Sequence, residues 1–443
     1  MSYTSEISHY TSTTSVQKLS FFEYLYVLVL IIYAAHANRY VVSFSIIENP
    51  IWFSVPILLS GILFLKWGAV FNKQFYQLIL GFFIYFFAIS IKYHEIRPTF
   101  FLNYVLLFFI TYATVKALKV NLFRIFELLL FYLAIVGLIM WVVQIILGGD
   151  TLYNYFGRIP SIDTFSYVSG NGLNAILYSV QPTSMSLQFD FLPPRNCGFA
   201  WEPGGFATLL CLAIFINIFF LKSDRKSKIR FWVLLAALIS TQSTTGYSIF
   251  SVMIIFYFLN KRLSVMLVLM PVVITIIMIV FSLPFMSDKI VSLANETSQI
   301  DIMVEGSIGR DSSINPQRFA SFLIAFRDFL DNPVLGLGGN AEASWTYKIG
   351  ANVSAITGIG NILAQFGIVG FLLFITTLYK TSLFFSKTFR YNGKFLFFLI
   401  VFFISVSYGI VLLPLFMSFW MFELFTPLGI NEDQIPNLES KQV

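Results

Sequence analysis

Three short stretches of this chain combine residue types that can do chemistry. The first is Arg195-Asn-Cys-Gly-Phe-Ala-Trp-Glu202-Pro203-Gly204-Gly205, which leads into a long apolar run. Pro203 suits the first position of a helix, and Glu202 stands where a carboxylate complements the positive end of the helix dipole. A capped helix start with a local Arg–Glu pair accounts for the pattern. A charged site at the mouth of that run, where a membrane-borne substrate would emerge, accounts for it equally. The second stretch is Ser240-Thr241-Gln242-Ser243-Thr244-Thr245-Gly246. Small hydroxyl residues are ordinary packing material between membrane helices, but Ser243, Thr244 and Thr245 at a polar break could also donate to phosphate or sugar oxygens. The third is the basic set Arg310, Arg318, Arg327 and Lys348. Arginine, planar and always charged, is the better fork for phosphate oxygens. Arg310 and Arg318 flank an expected helix start and are placed to reach a pyrophosphate, whereas Arg327 reads more simply as a solvated charge.

The elements that must hold these residues are membrane helices. Of 443 residues, 57% are hydrophobic and 11% charged, with a mean hydropathy of +0.79. A water-facing surface cannot be clothed with so few charges, since a soluble chain carries about 25%. The aromatic share of 18%, including 52 Phe, suits a lipid-facing bundle with interfacial belts. The expected fold is therefore an all-α polytopic membrane protein of about 10–12 transmembrane helices. Apolar runs lie near 21–37, 50–66, 75–92, 99–116, 122–147, 204–221, 231–243, 246–259, 263–284, 355–379, 395–411 and 414–426. The pair 231–243 and 246–259 is short and meets at the polar stretch; the last two form one run interrupted by Gly409 and Pro414.

With the N-terminus inside, most of the 28 basic residues fall in inner connections, including the cluster Lys222-Arg225-Lys226-Lys228-Arg230. Both termini are then cytoplasmic. The chain divides into N-terminal helices (1–147), a first outer loop (148–203), central helices (204–284), a second outer loop (285–354), and C-terminal helices with a cytoplasmic tail (355–443). Met1 to Ser15 is polar and lacks the pattern of a removable signal peptide. Loops this long tend to carry function. In the second, Asn315 is expected to cap a helix with Pro316 at its first position. Phe319, Phe322, Leu323, Phe326 and Leu330 form its apolar stripe, suited to the outer membrane surface or to capping a cavity.

Several chemistries have no residues to support them. The chain has no CxxC, HExxH, DxD, Walker or dinucleotide motif, and His9, His36 and His94 are scattered. Cys211 inside a helix starting near Pro203 is too far from Cys197 to bridge. No inner loop can hold a nucleotide-sugar-binding domain. No cofactor, metal or nucleic-acid partner is expected, and any reaction uses a membrane-borne substrate.

RNCGFAWEPGGFATLL (195–210), a basic turn, and LLAALISTQSTTGYSIF (234–250) resemble the O-antigen polymerase/ligase superfamily, above all Wzy-type polymerases of lipid-linked repeat units. NPVLGLGGN (332–340) and GIGNILAQFGIVGFLLF (358–374) fit its later part, so the likeness covers about residues 190–425. The resemblance implies a metal-independent GT-C-type glycosyltransferase at the outer face of the bacterial inner membrane. Such enzymes move a growing glycan from undecaprenyl pyrophosphate onto the next lipid-linked unit, and the likeness suggests a separate chain-length regulator. By matching position, Arg195 and Glu202 belong to the first outer motif, and Arg310 and Arg318 hold the pyrophosphate. Asn361 lies in the late motif, where ligases acting on lipid A core typically carry a preceding histidine. Here Gly360 precedes it, which favours a polymerase. Arginines in a partly dry site can stabilise a departing pyrophosphate without metal, and Glu202 is the best-placed base for an acceptor hydroxyl. A ligase, or from another class a lipid-linked oligosaccharide flippase, remains the competing reading; repeated halves, common in transporters, are not evident.

Overall fold

The computed structural model describes residues 19–37, 50–158, 164–167, 170–174, 177–180, 193–221, 224–259, 299–309, 314, 316, 318–353 and 357–426. The expected span at 263–284, Arg310 and the capping Asn315 lie outside the described residues. The chain is an all-α polytopic membrane protein. Four helices are long and apolar enough to cross a membrane: α3 (Lys73–Tyr93), α4 (Pro98–Leu118), α5 (Asn121–Leu147) and α13 (Gly358–Thr388). Shorter apolar helices are α1 (Phe21–Ala34), α2 (Pro50–Lys66), α7 (Pro203–Phe219), α9 (Thr244–Leu259) and α14 (Leu396–Ser407).

Apolar on every side, α7 can be stable only if covered all round. Its residues from Pro203 to Asn217 are all buried, and it packs against α5, α9 and α8 (Arg225–Ser240). Helices α8 and α9 have 16 residues each, about 24 Å at 1.5 Å per residue. They fold back around α7 with their turn at its N-terminal end. The Asn196 N–H donates to the Ser240 carbonyl there, and Cys211 Sγ contacts the Gly246 carbonyl. Close passage requires Gly246, whose Cβ would lie 2.8 Å from that of Ala207. The break expected at the hydroxyl-rich stretch is therefore a hairpin turn, Thr241 to Ser243, with Gln242 at φ 49°.

The segment following α5 contains α6 (Gly149–Gly157) and a three-stranded antiparallel sheet. Its strands are β1 (Thr164–Tyr167), β2 (Gly170–Asn174) and β3 (Ser179–Val180), with Thr164 opposite Leu173 and Leu173 opposite Val180. The hydropathy reading contained no strands, because pieces this short leave little periodic signal.

The other long segment holds α10 (Ile300–Glu305), α11 (Arg318–Asp331) and α12 (Trp345–Lys348). One expectation for α11, the place of Pro316, needs correction. Its first residue is Arg318, with Pro316 ahead of the helix and accepting a bond from Ser321 Oγ. Its inward face is also the small-residue one: Ala320, Ser321, Ile324, Ala325 and Asp328 are buried against α13. Phe319 and Leu330 are exposed, and Phe319, Phe322, Phe326 and Phe329 form a row of contacting rings on the outward side. Small residues permit close backbone approach, while lipid gives large apolar side chains no reason to turn inward.

Helix α13 breaks at Gly367 (φ 62°, ψ −160°). The carbonyls of Ala364 and Gln365 are satisfied by the N–H groups of Leu337 and Gly338, each at 2.8 Å, and Pro333 accepts from Ile368 N–H. A break at membrane depth needs such protein partners. The glycines of NPVLGLGGN thus serve close backbone approach: a Cβ on Gly336 would meet Gln365 backbone at 2.5 Å. The interrupted run at the C-terminal end resolves into α14, a 3-10 turn at Gly409–Leu412, α15 (Pro414–Trp420) and α16 (Phe422–Phe425).

Candidate functional site

Glu202 is the N-cap of α7, in extended conformation, with Pro203 following. Its side chain makes no capping bond; it is ion-paired with Arg318 at the start of α11. The local Arg195–Glu202 pair suggested by the sequence is thus replaced by a long-range one. The two side chains retain 27% and 31% exposure, so the pair is shielded enough to matter and still open to a ligand.

Tyr408, at the C-terminal end of α14, completes the arrangement. Its ring lies under the Arg318 guanidinium at 4.5 Å, and its hydroxyl lies within reach of the Glu202 charge. Trp201 meets the same ring edge-on at 5.8 Å. A Cβ on Gly204 would stand 1.6 Å from the Tyr408 hydroxyl, and one on Gly205 2.6 Å from the Trp201 ring. The paired glycines after Glu202-Pro203 therefore make room for these two aromatics. The sequence reading missed Tyr408; the interruption at Gly409 and Pro414 was its only signal.

Arg195 is half-buried and donates from Nε to the Thr241 carbonyl at 3.2 Å. The charges of Glu202, Arg318 and Arg195 all reach the Tyr408 hydroxyl, so the two arginines share one region rather than opposite flanks of the bundle. Gln242 donates to the Pro193 carbonyl, and its Oε1 has no partner among the described residues. His36, in the turn after α1, stands edge-on to Trp201 at 4.9 Å, and the Trp201 backbone N–H donates to the Ala35 carbonyl. The first helix thus abuts the site, although its histidine looked unconnected in the sequence.

The hydroxyl stretch is less directly involved. Buried Ser243 accepts the Gly246 N–H, Thr244 opens α9, and Thr245 Oγ1 bonds Ser407 Oγ at 3.0 Å. These are caps and interhelix ties that hold α9 beside Tyr408. Asn361 lies in the first turn of α13, its amide 3.7 Å from where a Cβ on Gly409 would be, next to Tyr408. Arg327 is separate: it stacks on Trp345 at 4.0 Å and pairs with Asp301. Among the described residues, no group of three or more His, Cys, Asp or Glu is placed to hold a metal. Cys197 and Cys211 are free and buried, and burial pushes the Cys197 thiol up to about 12 despite the nearby Arg195 charge.

Residues 229–375 match the family model described as O-antigen ligase. That stretch, about a third of the chain, is what is similar to the family. The matched stretch runs from α8 into α13 and holds Arg318 and Asn361, while Arg195, Glu202 and Tyr408 lie outside it. The likeness points to polysaccharide biosynthesis, in keeping with the membrane-length apolar helices. No curated protein matches the chain.

Proposed function

We propose that this protein polymerises undecaprenyl-pyrophosphate-linked oligosaccharide repeat units at the outer face of the bacterial inner membrane, with both termini cytoplasmic. The observation that carries the reading is the partly shielded Glu202–Arg318 pair, with Arg195 charge directed at the same region. In the reaction, an acceptor sugar hydroxyl attacks the anomeric carbon of the donor glycan. The new C–O bond forms as the bond to pyrophosphate breaks, and the lipid pyrophosphate departs with the bonding pair. Arg318 and Arg195 offset the charge growing on that leaving group, and Arg310 is assigned the same duty. Glu202 accepts the hydroxyl proton once the incoming phosphate has drawn Arg318 from it. Asn361, beside Gly409, offers an amide to the sugar, and Ser243, Thr244 and Thr245 keep the supporting helix in place.

The missing histidine before Asn361 favours polymerase, whereas the likeness of residues 229–375 to the O-antigen ligase family favours ligase. Purified protein in liposomes containing the lipid-linked repeat unit discriminates between them. Elongation is expected. Transfer only onto an added lipid A core reassigns the protein as a ligase, and translocation without a new glycosidic bond reassigns it as a flippase. Glu202→Gln is expected to abolish polymer at normal protein level; unchanged chain length removes Glu202 from the mechanism. A separate chain-length regulator is the expected protein partner.

A further inference from the structure

Tyr408 offers two different surfaces to two different charged groups. The aromatic face lies under the Arg318 guanidinium at 4.5 Å, while the hydroxyl reaches Glu202 through the notch left by the missing side chain of Gly204. Three independent features fix this posture. Trp201 closes on the ring edge, the Tyr408 carbonyl packs so tightly on Gly358 that a Cβ there would lie 2.4 Å away, and Thr245–Ser407 ties the preceding residue to α9. Tyr408 itself is 5% exposed, so it is not free to follow either partner.

We propose that Tyr408 is a positioning residue for glycosyl transfer, its ring holding Arg318 for the lipid-linked diphosphate and its hydroxyl holding Glu202 for the acceptor. The proposal rests on the polymerase/ligase reading above. When a diphosphate takes Arg318 from Glu202, the guanidinium keeps its aromatic shelf and the carboxylate keeps one donor. Neither group must then be re-ordered during the reaction. The two duties separate by substitution: Tyr408→Phe retains the shelf and removes only the donor, whereas Tyr408→Leu removes both.

The full-length protein in detergent is titrated with farnesyl diphosphate, and the same variants are assayed in proteoliposomes with lipid-linked repeat unit. Tyr408→Phe is expected to bind the diphosphate within about twofold of the parent and keep its KM for the lipid-linked donor. Its kcat falls about tenfold or more, the value of a hydrogen bond to a charged group. Tyr408→Leu is expected to lose about three- to thirtyfold in diphosphate affinity as well, the range of a cation–π contact. If the ring and hydroxyl served only packing, both variants would lose melting temperature while the folded fraction kept parental affinity and KM; that outcome overturns the proposal. Should Tyr408→Leu fail to fold, Tyr408→Phe alone decides, since either unchanged kcat or a proportional loss of affinity overturns the division of labour. A parent protein that ignores farnesyl diphosphate and elongates nothing overturns the glycosyl-transfer reading and this proposal together. A parent that binds and elongates, with variants indistinguishable from it, overturns this proposal alone.

Discussion

Gly204→Ala is the sharpest perturbation of the site, because it adds one methyl group where the Tyr408 hydroxyl already stands. The new carbon would be 1.6 Å from that oxygen and 2.9 Å from the ring carbon bearing it. Tyr408 is 5% exposed and cannot swing into solvent, so its ring must be driven from Arg318 or α7 must shift. Overpacking a tight core costs about 1–3 kcal/mol. Losing a hydrogen bond to a charged partner costs about 1.5–3 kcal/mol more. Gly204→Ala is therefore expected to destabilise by roughly 3–6 kcal/mol. Tyr408→Phe alone should cost only the second part. The double variant should cost clearly less than the two singles combined, because its alanine no longer meets an oxygen. Melting in detergent, followed by tryptophan fluorescence, reads this cycle. Gly81→Ala is the control: it lies inside α3 with nothing within 4 Å of the added carbon, so it should stabilise by about 0.5–1 kcal/mol. Additive losses for Gly204→Ala and Tyr408→Phe, or a Gly204→Ala protein as stable as the parent, would refute the placement of Tyr408 against α7.

Other expectations are equally direct. Burial raises the Asp328 carboxyl, while the Trp345 N–H donated to it at 2.6 Å pulls the other way. A carboxyl raised on folding contributes stability that is present below its unfolded pKa and lost as pH rises through the folded value. Asp328→Asn, which keeps an acceptor for Trp345, should therefore melt at or above the parent at pH 7, with the difference shrinking toward pH 4. Asp328→Ala should instead lose about 1–3 kcal/mol. Cys197, buried and with its thiol pushed up to about 12, should resist maleimide in the native protein and react once denatured. Lys92 donates to Asn332 Oδ1 at 2.7 Å and to the Gly336 carbonyl at 2.9 Å. Lys92→Met should speed hydrogen exchange at Leu337 and Gly338, and unchanged exchange would deny Lys92 any hold on that loop.

The membrane class was legible in the sequence, and Glu202 and Arg318 could be picked out as charged candidates, because low charge and rare charged motifs both survive without knowledge of packing. Their pairing was not legible: Arg195 lies near Glu202 in the chain, and nothing local says that Arg318 reaches it first. Tyr408 was invisible for a related reason, since one tyrosine in an aromatic-rich run has no distinguishing neighbour. The stripe of α11 faces outward, which fits the membrane-surface alternative; what the sequence did not show was that small residues make the inward face. Periodicity identifies a face, and only the surrounding medium says which way it turns. For the Ser243–Thr245 hydroxyls the sequence left helix packing and ligand donation open, and the contacts of Ser243 and Thr245 in hairpin closure and helix contact fit the packing alternative.

The fracture of α13 at Gly367 has a mechanical corollary. The loop after α11 is riveted into that fracture by its own backbone, and α11 lies flush against the same helix. On the facing wall, Asn196 and Arg195 are stitched to the α8–α9 turn. With both jaws clamped, parting Glu202 from Arg318 by prying the walls open would rupture many backbone bonds, whereas sliding the guanidinium along its Tyr408 shelf disturbs side-chain contacts alone. Admission of an anion is thus a matter of torsion angles, and the loaded and empty forms should superpose backbone on backbone.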